Sequence, residues 1–299
     1  MISFQQILKD IESLKIQGAT NVAKSSIKAL RILAEKNKNK LKVDLIHSLN
    51  SAKKELFNSR PTEPTMRNAI NYILDNVEVE QNVFKAVKER VKAVEYHFNN
   101  TNDIIAKIGA RKIKKGMIIF THCHSSSVTS ILKLAKKQRV KFEVHNTETR
   151  PRLQGRITAR ELAREGIPVV HYVDSAARLA LKKADLMLMG ADAITTEGTV
   201  INKIGSELFA EIAEKYDIPV YSCTDSWKFD PETVFGYEEE IEERGPKEVW
   251  PNPPKGVKID NHAFEKVDPD LVTGIISELG IYKPSIFVDQ IRRAYPWIR

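Results

Sequence analysis

Over the first third of the chain the apolar residues recur at three- and four-residue steps. Ile7, Ile11 and Leu14 form one such stripe, Val22, Ile27, Leu30 and Leu33 a second, and Val83, Val87, Val91 and Val94 a third. That spacing is the period of an α-helix with one buried face. Breakers are scarce: residues 1–112 hold only Gly18, Gly109, Pro61 and Pro64. The pattern predicts four or five helices, interrupted by "SRPTEP" at 59–64, with Thr62 or Thr65 as the cap of the helix that follows.

Beyond residue 112 the period changes. Short apolar runs, "MIIF" (117–120), "FEVHNT" (142–147), "PVVHYV" (168–173), "LMLMGAD" (186–192) and "PVYSC" (219–223), read as strands. Helical stretches at 127–137, 158–166, 175–184 and 206–216 alternate with them. Such alternation means βαβ units on a parallel sheet, with ligands bound beyond the carboxyl ends of the strands. The expected fold class is α/β: a helical N-terminal domain over 1–112, then a Rossmann-like, doubly wound parallel sheet over 113–299. "PVYSC" reads as the last buried strand. Residues 225–256, rich in Pro, Glu and Lys, read as a surface excursion or oligomer contact. "DLVTGIISELG" and "PSIFVDQIRRAYPWIR" read as two closing helices, the first ending at Gly280.

Composition narrows the partners. With 42% hydrophobic and 29% charged residues in 299, this is an ordinary globular chain. No apolar run approaches the roughly 18 residues of a membrane span, and the N-terminus lacks a signal-peptide pattern. Two cysteines are too few for a disulfide framework, so a reducing cytoplasm is expected. The net charge of +8 suits a phosphorylated substrate as well as nucleic acid. The lysines look spread over helical faces, the densest run being "KNKNKLK" at 36–42, and no nucleic-acid motif occurs, so no nucleic-acid partner is expected.

The chemistry lies at the strand ends. "THCHSSS" (121–127) leaves a strand and enters a helix through serines, which cap free N–H groups. A helix start favours an anion and lowers a nearby thiol pKa, so Cys123 is either a reactive thiol beside a phosphate cradle or a small buried cysteine. His122, Cys123 and His124 are adjacent and cannot all face one ion, so no metal site is expected. Asp192 ends a very apolar strand: it is either a carboxyl kept protonated as a general acid, or a turn former. Asn202 and Lys203 precede a glycine at a helix start, and Lys228 lies past "PVYSC" on the ligand side. "TETRPRLQGR" (147–156) offers Arg150, Arg152 and Arg156 as an anion-binding loop. Neither GxGxxG after the first strand nor GxxxxGK[ST] occurs, which disfavours a dinucleotide enzyme and a P-loop ATPase; no cofactor is expected.

"THCHS", "TETRPRLQGR", "GADAI" with "VINKIG", and "KF", in that order, resemble one superfamily. It unites the aldose-1-phosphate isomerases (methylthioribose-1-phosphate isomerase and archaeal ribose-1,5-bisphosphate isomerase) with the regulatory subunits of translation initiation factor 2B. Within it the chain looks most similar to the archaeal ribose-1,5-bisphosphate isomerases. The resemblance implies a sugar bisphosphate substrate, Cys123 and Asp192 as the catalytic pair, and a homo-oligomer, dimer or hexamer, with AMP as an activator. It also implies substrate contacts from Gln17, Gly18, Ala19, Thr20, Arg60, Ser125, Ser126, Ser127, Asn202, Lys203 and Lys228. The alternative it leaves is a non-catalytic subunit that binds a phosphorylated ligand and initiation factor 2. One departure stands out: the family's "RGA" reads "QGA" here. Glutamine at 17 forgoes the bidentate, charged grip of arginine on phosphate, an expected loss of about 1.5–3 kcal/mol of binding.

Overall fold

The computed structural model describes residues 2–16, 18–236, 241 and 243–298. It divides into two compact units: residues 1–100 with 227–231 and 292–299, and residues 101–226 with 232–291.

The first unit is helical. Helices α1 (Phe4–Glu12), α2 (Ala19–Lys36), α3 (Lys42–Ser59) and α4 (Pro64–Leu74) are followed by the long α5 (Val83–Gly109), whose residues from Thr101 on belong to the second unit. The three predicted stripes are the buried ones: Ile7 and Ile11, Val22, Ile27 and Leu30, and Val83 through Val94 are all buried, although Leu14 and Leu33 are only half-buried. Helix α4 starts with Pro64 at its first position and Glu63 before it, and no side chain caps it. Proline makes a cap less necessary there because it has no N–H to satisfy, so neither Thr62 nor Thr65 takes the predicted role. Helix α4 is buried on most of its surface, and its buried Asn68 donates to the carbonyls of Trp227 and Phe229 at 2.8 and 2.7 Å.

The second unit is doubly wound. In chain order it carries β1 (Ile118–Thr121), α6 (Ser126–Lys137), β2 (Glu143–Thr147), α7 (Gly155–Arg164), β3 (Val169–Tyr172), α8 (Ala177–Leu181) and β4 (Leu186–Met189). There follow β5 (Ala193–Ile194), β6 (Val200–Lys203), α9 (Ser206–Lys215), β7 (Val220–Cys223), β8 (Phe264–Val267), β9 (Gly274–Ser277), β10 (Gly280–Tyr282) and α10 (Pro284–Ala294), whose residues from Arg292 on belong to the first unit. The main sheet runs β10-β9-β7-β4-β1-β2-β3, parallel except for β10. The winding direction reverses between β1 and β4, which is where an open α/β sheet opens its ligand crevice.

Two features differ from the sequence expectation. "DLVTGIISELG" is not a helix: Gly274–Ser277 is a fully buried strand beyond "PVYSC", and β10 returns antiparallel beside it. A short continuous apolar run has no period to separate a buried strand from a buried helix. The segment "VINK" forms β6, the centre of a second, antiparallel sheet β5-β6-β8. The described part of 225–256 is mostly short 3-10 turns on loop backbone; residues 237–240 and 242 lie outside the described residues.

Candidate active site

Strands β1 and β4 are in register, Thr121 against Leu188, and Cys123 and Gly190 each come two residues after that last pair. Glycine at 190 leaves the Ser125 turn its room: a Cβ there would lie 2.9 Å from Ser125 Cβ and 3.0 Å from its Oγ. The β5–β6 hairpin then folds back. The Asp192 N–H donates to the Ile201 carbonyl at 2.7 Å, and the pairing of Ala193 with Ile201 sets Asp192 opposite Asn202. Gly190 therefore lies between the Ser125 turn and Asn202, whose Oδ1 is 3.7 Å from the glycine's ideal Cβ.

Cys123 adopts left-handed backbone, φ 65°, which is costly for a residue with a Cβ. Both of its peptide groups are held: its N–H donates to Thr149 Oγ1 at 2.9 Å, and its carbonyl accepts from Thr158 Oγ1 at 2.8 Å. Thr149, also left-handed at φ 65°, donates its own N–H to Asp174 Oδ1 at 2.8 Å. Asp174 Oδ2 takes the N–H of Arg150 at 2.7 Å. The close approach of helix α7 depends on Gly155, where a Cβ would fall 1.7 Å from the Thr147 carbonyl oxygen.

The thiol is not the activated one that a helix start alone would give. Cys123 is partly exposed as a residue, but the protein packed around its sulfur pushes the thiol up to about 11. Lys203 and Arg244 pull it down, and Asp192 pushes it further up. Lys203 is buried with its ammonium 4.2 Å from the Phe264 ring centre, and the Arg244 guanidinium carbon is 5.8 Å from the same ring. These two cations favour the thiolate, and so does the His124 backbone N–H hydrogen-bonded to the sulfur.

His122 is buried and held near a pKa of about 4, chiefly by burial, against the pull of Asp174. Nε2 lies 3.0 Å from the Ile204 carbonyl and must donate there, so Nδ1 accepts from Thr147 Oγ1 at 2.5 Å; the tautomer is assigned from these partners. His124 Nδ1 lies 3.0 Å from Thr158 Oγ1. The two histidines position the turn and do not converge on one point.

Ser125 caps α6, its Oγ accepting from the Val128 N–H. Ser127 donates to Asn102 Oδ1 at 2.9 Å and Ser126 accepts from Asn102 Nδ2 at 3.3 Å, so an asparagine already engages two of the three serines. Asn202 donates to Ser206 Oγ at 2.9 Å, just past the left-handed Gly205 that opens α9. Cys123, Ser125, Asp192, Asn202 and Lys203 thus converge at the end of one sheet.

The remaining predicted residues belong to the first unit. Gly18, with φ 84°, begins α2, and Ala19 and Thr20 form its first turn. Arg60 is buried and pairs with Glu63 at 2.9 Å. Lys228 lies in a short 3-10 turn. Gln17 lies outside the described residues.

Sequence reasoning valued "TETRPRLQGR" for its arginines, whereas its threonines touch the site. Arg156 pairs with Glu148 at 2.8 Å, Arg152 with Glu248 at 3.5 Å, and Arg150 Nη2 donates to the Val249 carbonyl at 3.3 Å. Arg244 was missed because it sits in an acidic stretch with no local signal, and only the fold brings it to Phe264.

The sequence matches the Initiation factor 2 subunit family over residues 15–284. The ribose 1,5-bisphosphate isomerase of Pyrococcus furiosus is 38% identical, over 98% of this chain and 94% of its own length. Among solved structures, the Pyrococcus horikoshii translation initiation factor eIF-2B superposes with a TM-score of 0.83 at 29% identity, covering 95% of this chain and 98% of that one. The 5-methylthioribose 1-phosphate isomerase of the same organism gives 0.78 at 26% identity, covering 98% and 88%. Proteins named as isomerases and proteins named as initiation factors thus share this chain's fold, and the chain belongs to the Initiation factor 2 subunit family.

Proposed function

We propose that the protein is a sugar-phosphate isomerase that converts α-D-ribose 1,5-bisphosphate into D-ribulose 1,5-bisphosphate. The observation that carries this reading is Cys123 itself: a thiol fixed in left-handed backbone at the β1 end, with two cations acting on it and Asp192 beyond the end of the neighbouring strand. A binding protein has no need of that strained arrangement. The identity to named ribose 1,5-bisphosphate isomerases supports the choice of substrate.

In this reading the Cys123 thiolate removes the proton on C2 of the sugar. The C1–O4 ring bond breaks, its electrons go to the ring oxygen, and Asp192 supplies the proton that oxygen takes up. The resulting enol phosphate has a C1–C2 double bond. Return of the proton to C1 and loss of the C2 hydroxyl proton give the ketose with its 1-phosphate intact. A thiol near 11 is mostly protonated at neutral pH, so Lys203 and Arg244 are assigned the work of favouring the thiolate. Ser125, Ser126, Ser127, Asn202 and Lys203 are assigned to substrate phosphate and hydroxyls. The same role for Gln17, Gly18, Ala19, Thr20, Arg60 and Lys228 rests on the family resemblance, as do a homo-oligomeric assembly and AMP activation; a cytoplasmic location rests on the cysteine count and the N-terminal pattern.

The test is turnover of α-D-ribose 1,5-bisphosphate followed by phosphorus NMR, with Cys123→Ser and Asp192→Asn alongside. Ribulose 1,5-bisphosphate should form with the parent alone. An inactive parent, with and without AMP, would favour the second reading, an initiation factor 2-binding subunit, for which the likeness to the eIF-2B structure speaks.

A further inference from the structure

The opposite edge of the main sheet, where β1, β4 and β7 begin, carries an open cavity of about 790 Å³. Arg111, Lys112 and Lys114 supply one side of it, and Asp185 is the single acidic residue in its lining. Its apolar surface comes from Ile108, Met117, Tyr221 and Ile281, each partly buried and packed against the core of the unit. Lys112 Nζ contacts the Tyr221 hydroxyl at 3.1 Å and sits 4.8 Å from its ring centre. Among the described residues the side chains of Arg111 and Lys114 make no ion pair or hydrogen bond, while the Lys114 N–H donates to Met117 Sδ at 3.1 Å.

Cations near a helix end ordinarily complement its dipole, and Arg111 and Lys112 follow α5 closely enough for that. Lys114 lies beyond the reach of a last turn, and a dipole effect needs no apolar trough beside it. Three cations against one carboxylate leave an excess of two positive charges, the complement of a phosphate monoester dianion. The half-exposed apolar floor would be idle under inorganic phosphate and suits a flat or aliphatic organic part.

We propose that this groove is a second anion site, which takes a small phosphate monoester: Arg111 and Lys114 hold the phosphate, and the organic part lies on Met117, Ile108 and Ile281. It is separate from the Cys123 turn, since the four residues of β1, about 13 Å of extended chain, run between the two edges. It stands whether or not the isomerase reading holds.

The test labels the methionine methyls of the full chain with carbon-13, Met117 being the reporter inside the groove, and titrates with phenyl phosphate and separately with inorganic phosphate. Phenyl phosphate should shift the Met117 methyl saturably, and inorganic phosphate at the same concentrations should leave it in place. In the Arg111→Gln, Lys114→Gln double variant the half-saturating concentration should rise by about tenfold or more. If that variant fails to fold, Lys114→Gln alone serves, with a smaller rise. A stationary Met117, an equal response to inorganic phosphate, or a half-saturation unchanged by the substitutions would overturn the proposal.

Discussion

The Cys123 N–H donates to the Thr149 hydroxyl at 2.9 Å, and both residues occupy left-handed backbone at φ 65°. Neither is glycine, so each conformation costs energy that its surroundings must offset. The Asp174 carboxylate supplies much of that support by taking the N–H groups of Thr149 and Arg150. Removing the hydroxyl leaves the Cys123 amide without its acceptor, a cost of about 1–3 kcal/mol. Thr149→Ala is therefore expected to lower kcat by roughly tenfold or more while KM barely moves, with Thr149→Ser recovering most of the rate. Steady-state kinetics check this; equal defects in the two variants would assign Thr149 to packing instead.

His122 makes the acid side of the stability profile specific. Its folded pKa, about 4, lies below the ordinary 6.5, so the unfolded chain takes up a proton first as pH falls. Its contribution is present above pH 6.5 and is lost as the pH falls toward 4. The shift corresponds to at most about 3 kcal/mol. Thermal melts from pH 7 to 4.5 should show a fall in Tm that is shallower in His122→Gln, which starts from a lower Tm at pH 7. Parallel curves for the two proteins would remove His122 from the account.

The second unit was legible where pattern and chemistry coincide. Strands at 118–121, 143–147, 169–172 and 220–223 fall within a residue of the apolar runs that predict them. The stripe valines of α5 are buried as their spacing requires. Position Cys123 could be read because a thiol after a strand and before capping serines is a local signal. The state of that thiol could not, because its pKa is set chiefly by burial, and then in part by Lys203, Asp192 and Arg244, 80, 69 and 121 residues away in sequence, besides the adjacent His124 N–H. Strand β9 escaped because a fully buried run carries no period, and β6 because a four-residue strand at the turn of a hairpin looks like loop.

Gly190 is a steric constraint on the Cys123 turn. An alanine there would place its Cβ 2.9 Å from Ser125 Cβ, and Ser125 belongs to the turn that carries Cys123. The neighbour is the stem of a short side chain at a helix cap, so it can yield only by shifting the turn. Gly190→Ala is expected to fold, with a stability loss of about 1–3 kcal/mol, and to lose most of its turnover. A crystal structure of the variant should show Ser125 displaced; full activity with Ser125 unmoved would contradict the role given to this contact.

In the helical unit the Arg67–Asp230 pair makes the sharpest stability prediction. Arg67 Nη2 lies 2.5 Å from Asp230 Oδ2, with side-chain exposures of 8% and 0%, and Arg67 also donates to the Pro61 carbonyl. Burying both charges is costly, but removing one is costlier, because the survivor keeps its desolvation penalty and loses its counter-charge. Asp230→Asn should destabilise by about 3–5 kcal/mol, seen as a Tm drop of roughly 5–15 °C. The double variant Arg67→Met, Asp230→Leu removes both charges and should be less damaged than Asp230→Asn alone. The Pro61 carbonyl, which loses its Arg67 donor, limits that recovery, while Asn68 still anchors the carbonyls of 227 and 229. If the double variant were the less stable of the two, the pair would hold the loop by its hydrogen bonds, and its charges would matter little.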